Sequence, residues 1–292
     1  MRIYKRNCNL CGKYYEGRGE YFCSTECRNI ASKGRGEYFC STECRNIASN
    51  GYIVLFLPDL HLESNKEQTK AFKTVLNFID KTSPDIIVWG GDFLEMSCFS
   101  KWNHGKPLLL EGKRYIDDCR IGREILETIS LRCKRQVYLE GNHEDWLNRY
   151  LESHPELCGK LDLRIDLGLN DIGIKYIDVN TPFSIGKLNF IHGWFYNKYH
   201  TTSTLDKYQN SIFYGHTHDH QSIIRTNWSS REPHMAMSLG CLCSKNPHYL
   251  RNKPQNWING FGLFEVRGDG FFTPHFIPII NGIFSYGGEV WK

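Results

Sequence analysis

Residues 52–61 read Tyr52-Ile-Val-Leu-Phe-Leu-Pro-Asp-Leu-His61, and the fold is decided there. An uninterrupted apolar run rich in β-branched and aromatic side chains predicts a strand buried on both faces, as in a parallel sheet. Pro58 stops the run, and Asp59 and His61 follow directly. Two residues apart on extended backbone, their side chains point the same way, so both can reach one cation.

Working outward, Ala71, Phe72, Val75, Leu76, Phe78 and Ile79 recur at helical spacing and predict a helix over 66–80, ended by Ser83-Pro84. Asp85-Ile-Ile-Val-Trp89 predicts a second strand, residues 115–132 a second helix, and Gln136-Val-Tyr-Leu139 a third strand. Alternation of strand and helix is the signature of a parallel sheet with crossover helices. Beyond it, apolar runs at 174–179, 183–192, 211–215, 234–242 and 261–277 predict strands that pair more locally. The expected fold class is therefore α/β, a sandwich of two mixed sheets flanked by helices.

Five short motifs each follow such a run: Asp59-Leu60-His61, Gly91-Asp92, Gly141-Asn142-His143-Glu144, Ile191-His192-Gly193 and Gly215-His216-Thr217-His218. In open α/β sheets ligands bind beyond the carboxyl ends of strands, so five strand ends would deliver these groups to one place. Asp92, after two glycines, can offer one oxygen to each of two ions. Asn142 adds an amide oxygen, and His192, His216 and His218 add imidazoles. Mixed nitrogen and oxygen ligation suits manganese, iron, nickel or zinc better than calcium or magnesium alone. Two ions about 3.5–4 Å apart would bridge a hydroxide and clamp a phosphoryl group for in-line attack. A leaving oxygen needs a proton, and His143, beside a ligand, is the candidate donor.

These motifs, in this order across residues 52–218, resemble the calcineurin-like metallophosphoesterase superfamily. The resemblance implies that Asp59, His61, Asp92 and His218 hold a first metal and Asp92, Asn142, His192 and His216 a second. It also implies His143 as the phosphate-contacting proton donor. Protein phosphatases of the superfamily extend the second motif with Asp-Arg and place Arg before the third. Here Asp92 is followed by Phe93-Leu-Glu-Met, and the other position is Glu140. Repair exonucleases read GNHD and carry a capping domain. The compact form resembles small phosphodiesterases, including those of phage genomes.

In the loop after Asp92, Lys101, Trp102 and His104 are candidates to grip a phosphate or stack a base, against the reading of a solvated loop with one packed Trp. Trp194-Phe-Tyr-Asn-Lys-Tyr-His200 raises the same question. Cys241 and Cys243, near an apolar strand, read as buried thiols rather than ligands.

The first 50 residues form a different region. They hold nine Lys or Arg against five Asp or Glu, while the remaining 242 hold 27 of each, so the whole net charge of +4 lies here. Cys8-Asn-Leu-Cys11 and Cys23-Ser-Thr-Glu-Cys27 are paired chelates matching a structural zinc site, and the pattern resembles treble-clef-like zinc fingers. Residues 17–32 recur unchanged at 34–49, so Cys40 and Cys44 are an alternative to Cys23 and Cys27. The expected organisation is a zinc module over 1–50 and a metallophosphoesterase domain over 51–292.

No apolar stretch reaches a membrane span, and Met1-Arg-Ile-Tyr-Lys-Arg opens no export signal, so the expected compartment is the cytoplasm, with no membrane partner. The expected function is a binuclear-metal phosphodiesterase acting on nucleic acid or nucleotides. The alternatives are a nucleotide or metabolite phosphomonoesterase, and a zinc-finger binding module with a vestigial metal site.

Overall fold

The computed structural model describes residues 4–7, 14–17, 51–226, 228 and 232–292. The six N-terminal cysteines expected to bind zinc lie outside the described residues. The chain divides into two compact units, 1–52 with 266–271, and 53–265 with 272–292. In the first, β1 (Tyr4–Asn7) and β2 (Tyr14–Gly17) form an antiparallel pair with Tyr4 opposite Gly17 and Asn7 opposite Tyr14.

The larger unit is a two-sheet α/β sandwich. Its six-stranded sheet is built on β3 (Tyr52–Leu57), β4 (Ile86–Trp89), β5 (Gln136–Leu139) and β6 (Lys175–Ile177), paired in parallel in that order. The five-stranded sheet contains β7 (Phe183–Ile185), β8 (Leu188–Phe190), β9 (Ile212–Tyr214), β10 (Ser222–Thr226) and β11 (Pro233–Ser238). It is mixed: β8–β9 and β9–β11 are parallel, β7–β8 and β10–β11 antiparallel. Strands β12 (Gly260–Val266) and β13 (Phe272–Pro278) complete the first sheet in the order β13-β12-β3-β4-β5-β6. A small hairpin, β14 (Phe284–Tyr286) and β15 (Glu289–Trp291), ends the chain.

Helix α1 (Lys70–Thr82) starts four residues later than the periodicity suggests, because the Thr69 hydroxyl accepts from Phe72 N and caps it there. Helix α2 (Tyr115–Ser130) lies where expected. Helices α3 (Asn142–Ser153) and α4 (His200–Tyr208) complete the set of longer helices among the described residues. Two expected strands are corrected. The run 183–192 is a hairpin, because Gly186 at φ +59° turns the chain between β7 and β8, and 261–277 is two strands.

The pleat of β3 explains the layering. Leu55 and Leu57 join Phe72, Val75 and Leu126 in the helix-side core. Phe56, on the other face, stacks on Phe190 of β8 at 5.5 Å, and Phe190 meets Phe264 of β12 edge-on. Each buried ring contributes roughly 1.5–3 kcal/mol. This packing brings the carboxyl ends of β3, β4 and β5 beside those of β8 and β9.

Candidate metal centre

Each of these five strand ends carries one of the motifs, and the backbone is bent sharply to present it. Asp59, His61, Asp92, His216 and His218 all adopt left-handed φ, between 46° and 65°. For non-glycine residues such conformations cost about 1–3 kcal/mol each and persist where surrounding bonds impose them. Here Asp59 N donates to Gly91 O, His61 N to Asp92 O at 2.9 Å, and Ile258 N to His218 O at 2.9 Å. Glycine is required where the turns close on a carboxylate. A Cβ on Gly215 would lie 2.1 Å from Asp59 Oδ2, and one on Gly141 would lie 2.2 Å from Asp92 Oδ1.

Asp92 occupies the centre, with its oxygens facing two different groups. Oδ1 lies 3.4 Å from His192 Nε2 and accepts from His143 N at 2.9 Å, at the start of α3. Oδ2 lies 3.7 Å from His61 Nε2. On the first side His218 Nε2 is 3.1 Å from Asp59 Oδ1 and 3.2 Å from His61 Nε2. On the second, His192 Nε2 is 3.0 Å from Asn142 Oδ1, and the donor atoms of Asp92, His192 and His216 lie within 4.8 Å of one another. All seven expected ligands are thus gathered, and this donor set of carboxylates, one amide and imidazoles fits divalent transition ions.

The imidazoles are aimed by partners on their other ring nitrogens. His192 Nδ1 donates to Gly90 O at 2.9 Å, leaving Nε2 toward Asp92. His61 Nδ1 binds the Glu95 carboxylate at 2.7 Å, and His143 Nδ1 donates to the Glu95 carbonyl at 2.7 Å. Such outer partners fix the orientation of metal-binding histidines. Glu144 acts on the backbone instead. Its carboxylate accepts from the N–H groups of Asp92, Phe93, Leu94 and Gly141 at 2.8–3.1 Å, and from the Tyr138 hydroxyl. It clamps the Asp92 turn to the start of α3.

The charges follow this arrangement. Burial disfavours the imidazolium of His61, but Glu95, Asp92 and Asp59 outweigh it and raise its pKa to about 10. His192 is likewise raised to about 9, burial being overcome by Asp92. Glu95 is pulled down to about 2, its own burial outweighed by His61. Burial lowers His143, and burial together with the neighbouring His192 lowers His216 to about 4. A cluster this acidic holds protons until a cation replaces them.

A cavity of about 360 Å³ opens beside the first side of the cluster, with His61, Glu95, His143 and Cys243 in its wall. Of the three loop candidates, Trp102 lines this cavity while Lys101 and His104 do not; Lys101 Nζ lies over the Trp102 ring at 5.0 Å. The 194–200 segment ends in His200, which is buried and bonded to the Tyr214 hydroxyl and Asp219, so that histidine supports the turn that carries His216 and His218. Cys243 Sγ sits 3.8 Å from His218 Nδ1, nearer the cluster than its sequence context indicates.

Strand-end carboxylates and histidines gathered around one shared Asp, on an α/β sandwich, define a metal-dependent hydrolase of phosphoric esters. Residues 52–236 match the calcineurin-like phosphoesterase family, and the chain belongs to it. The Gene 54 protein of Mycobacterium phage D29 is 26% identical over 247 residues, 77% of this chain and 94% of its own. That of phage L5 is 26% identical over 246 residues with the same coverage. The crystal structure of Vps29 from Chaetomium thermophilum covers 77% of this chain and 95% of its own at 9% identity, with a TM-score of 0.35. Among the described residues, no helix is long and apolar enough to cross a membrane.

Proposed function

We propose that this phosphoesterase is a binuclear phosphodiesterase acting on nucleotides or nucleic acid. The observation that carries the reading is Asp92, whose two oxygens face His192 and His61 separately, as a bridging carboxylate does. Asp59, His61, Asp92 and His218 would hold one divalent ion, and Asp92, Asn142, His192 and His216 the other, with manganese the preferred metal. When bound, the ions supply Lewis-acid polarisation of the phosphoryl oxygens and acidify water.

The chain's own groups do the rest. His143 Nδ1 is committed to the Glu95 carbonyl, so Nε2 is the atom that would carry a proton to the departing oxygen when the ring is the imidazolium. Its ring is held by stacking on Trp146 at 3.9 Å. Among the described residues the cavity wall holds Lys66, Lys106 and Lys113 but no arginine, so it lacks the bidentate grip suited to a monoester dianion, which favours a diester. Glu140, where protein phosphatases carry arginine, binds Asn148 Nδ2 and Val179 N and is buried. The reading extends to a domain boundary near residue 50, with one structural zinc on Cys8, Cys11 and either Cys23/Cys27 or Cys40/Cys44.

The test is manganese-dependent hydrolysis of bis-p-nitrophenyl phosphate beside p-nitrophenyl phosphate. Diester cleavage that falls on the order of 10²–10⁴-fold in His143→Ala, the range for a lost general acid, and vanishes in Asp92→Asn supports the reading. Preference for the monoester would make the protein a nucleotide or metabolite phosphatase. A metal content of zinc alone, with neither ester cleaved, would leave the zinc-finger binding role in its place.

A further inference from the structure

The cavity beside His143 carries more aromatic surface than a phosphate needs. Trp102, Trp146, Tyr249 and Trp257 all line it. Two of these rings are committed to the centre: Trp146 stacks on His143 at 3.9 Å, and Trp257 meets His218 at 4.1 Å. The other two are not. Trp102 is 68% exposed and Tyr249 is 54% exposed, and neither stacks on another ring among the described residues. Exposed large aromatics at the mouth of an enclosed site present π-faces to whatever enters.

The polar wall is specific too. Glu63 is buried between the ammonium groups of Lys66 and Lys113, and Ser97 Oγ donates to it at 3.1 Å. Across the wall Lys66, Lys106 and Lys113 balance Glu63, Glu67 and Glu95, so the cavity offers ammonium donors without a surplus of either sign. At about 360 Å³ the cavity stands near the lower end of the roughly 300–1,000 Å³ range of small-molecule sites. It has room for one nucleoside, not for a stacked duplex.

From these features, and resting on the phosphodiesterase reading above, we infer that the cavity is a base-binding subsite: it takes one unstacked nucleobase of a nucleoside-bearing phosphodiester between Trp102 and Tyr249, with the reacting phosphate at the Asp92 cluster. Base-on-aromatic stacking tolerates every base, so the subsite selects for a base without reading which one. A base inside a duplex would first have to leave the stack.

The test compares thymidine 5′-(p-nitrophenyl phosphate) with methyl p-nitrophenyl phosphate on the full chain with manganese. It is paired with calorimetric binding of AMP and ribose 5-phosphate to chelator-treated protein. The expected preference for the base-bearing member of each pair is about tenfold, equal to about 1.4 kcal/mol. In Trp102→Ala and Tyr249→Ala the ratio should fall towards one, while Trp102→Phe, which keeps a ring, should retain it. Because Trp102 is exposed, these substitutions leave the core intact, which thermal melting checks. Turnover of both esters at equal kcat/KM, with equal binding of AMP and ribose 5-phosphate, would overturn the subsite and leave the phosphodiesterase reading standing. If neither ester is cleaved, that reading fails, and the AMP binding ratio alone decides the subsite: a tenfold preference lost in Trp102→Ala supports it, and its absence refutes it.

Discussion

The two groups of donors that meet at Asp92 are finished differently. On the second side, His192 is fixed by a backbone carbonyl and buried against the Gly90 turn, and nothing in the cavity wall belongs to it. On the first side, His61 is aimed by the Glu95 side chain, the sulfur of Cys243 stands beside His218, and His61, Glu95 and Cys243 line the cavity. Backbone partners cannot be varied without moving a strand, whereas side-chain partners can. The first side is therefore the one a ligand in the cavity would face, and the one where substitutions should tune metal affinity independently of the fold.

The largest effect that separates the sides should come from Gly215→Ala. The added Cβ would sit 2.1 Å from Asp59 Oδ2, and the backbone cannot retreat because Gly215 N donates to His192 O at 2.8 Å. Asp59 must swing away, dismantling the first side. Metal content should fall by one site equivalent, and hydrolysis by on the order of 10³-fold, about 4 kcal/mol of lost transition-state stabilisation. Elemental analysis beside activity checks both. Full metal content with full activity would show that the close approach relaxes harmlessly.

Proton competition should come next. With no metal present, His61 and His192 hold their protons up to about 10 and about 9, one histidine on each side. A cation binds the neutral imidazole, so uptake releases a proton, and affinity rises with pH until those values are passed. Each competing histidine contributes about tenfold per pH unit. His216, lowered to about 4, is already neutral and adds nothing. Manganese titrations at pH 6, 7 and 8 measure the slope, and a flat profile would mean that neither side holds its proton.

How far the sequence reveals this centre depends on whether a group has a regular position. The buried strands announce themselves as apolar runs, and the seven residues expected as ligands stand at fixed offsets from their ends, so the sequence points to the cluster that the fold gathers. Glu95 could not. It is one carboxylate in an irregular loop, and only the folded path of that loop brings it under His61 and His143. Glu144 is visible as part of the third motif, but its work on the Asp92 turn depends on α3, a helix that its polar sequence does not advertise. The turn within 183–192 was hidden for a similar reason, since one glycine in an apolar run is compatible with either a strand or a hairpin.

Glu95→Gln tests the first of these hidden groups. The amide keeps the size and can still accept from His61 Nδ1, but it removes the charge that makes His61 a strong donor. Loss of an outer partner of this kind reduces metal affinity by about 10–100-fold. The loss should fall on one of the two ions only, since Glu95 contacts His61 and His143 but no residue of the second side. Sequential binding isotherms resolve the two. Equal weakening of both would mean that the two sides are coupled through Asp92 more strongly than their separate partners imply.

Cys243→Ser should have the smallest effect. Its sulfur is 3.8 Å from His218 Nδ1, and a thiol is a weak hydrogen-bond partner, so it restrains that ring far less than a carboxylate at 2.7 Å restrains His61. Manganese affinity should change by less than about threefold, or about 0.7 kcal/mol. The comparison becomes sharper if zinc is titrated as well. The donor atoms of His61, His218 and Cys243 lie within 4.8 Å of one another, close enough for one ion to choose sulfur over oxygen. A thiolate favours zinc over manganese. If the serine variant loses zinc affinity much more than manganese affinity, Cys243 is a direct ligand for the softer metal. The first side would then hold zinc and manganese through different atoms, while the second, with no sulfur in its donor set, would hold both through the same nitrogen and oxygen donors and keep its zinc-to-manganese preference in the serine variant.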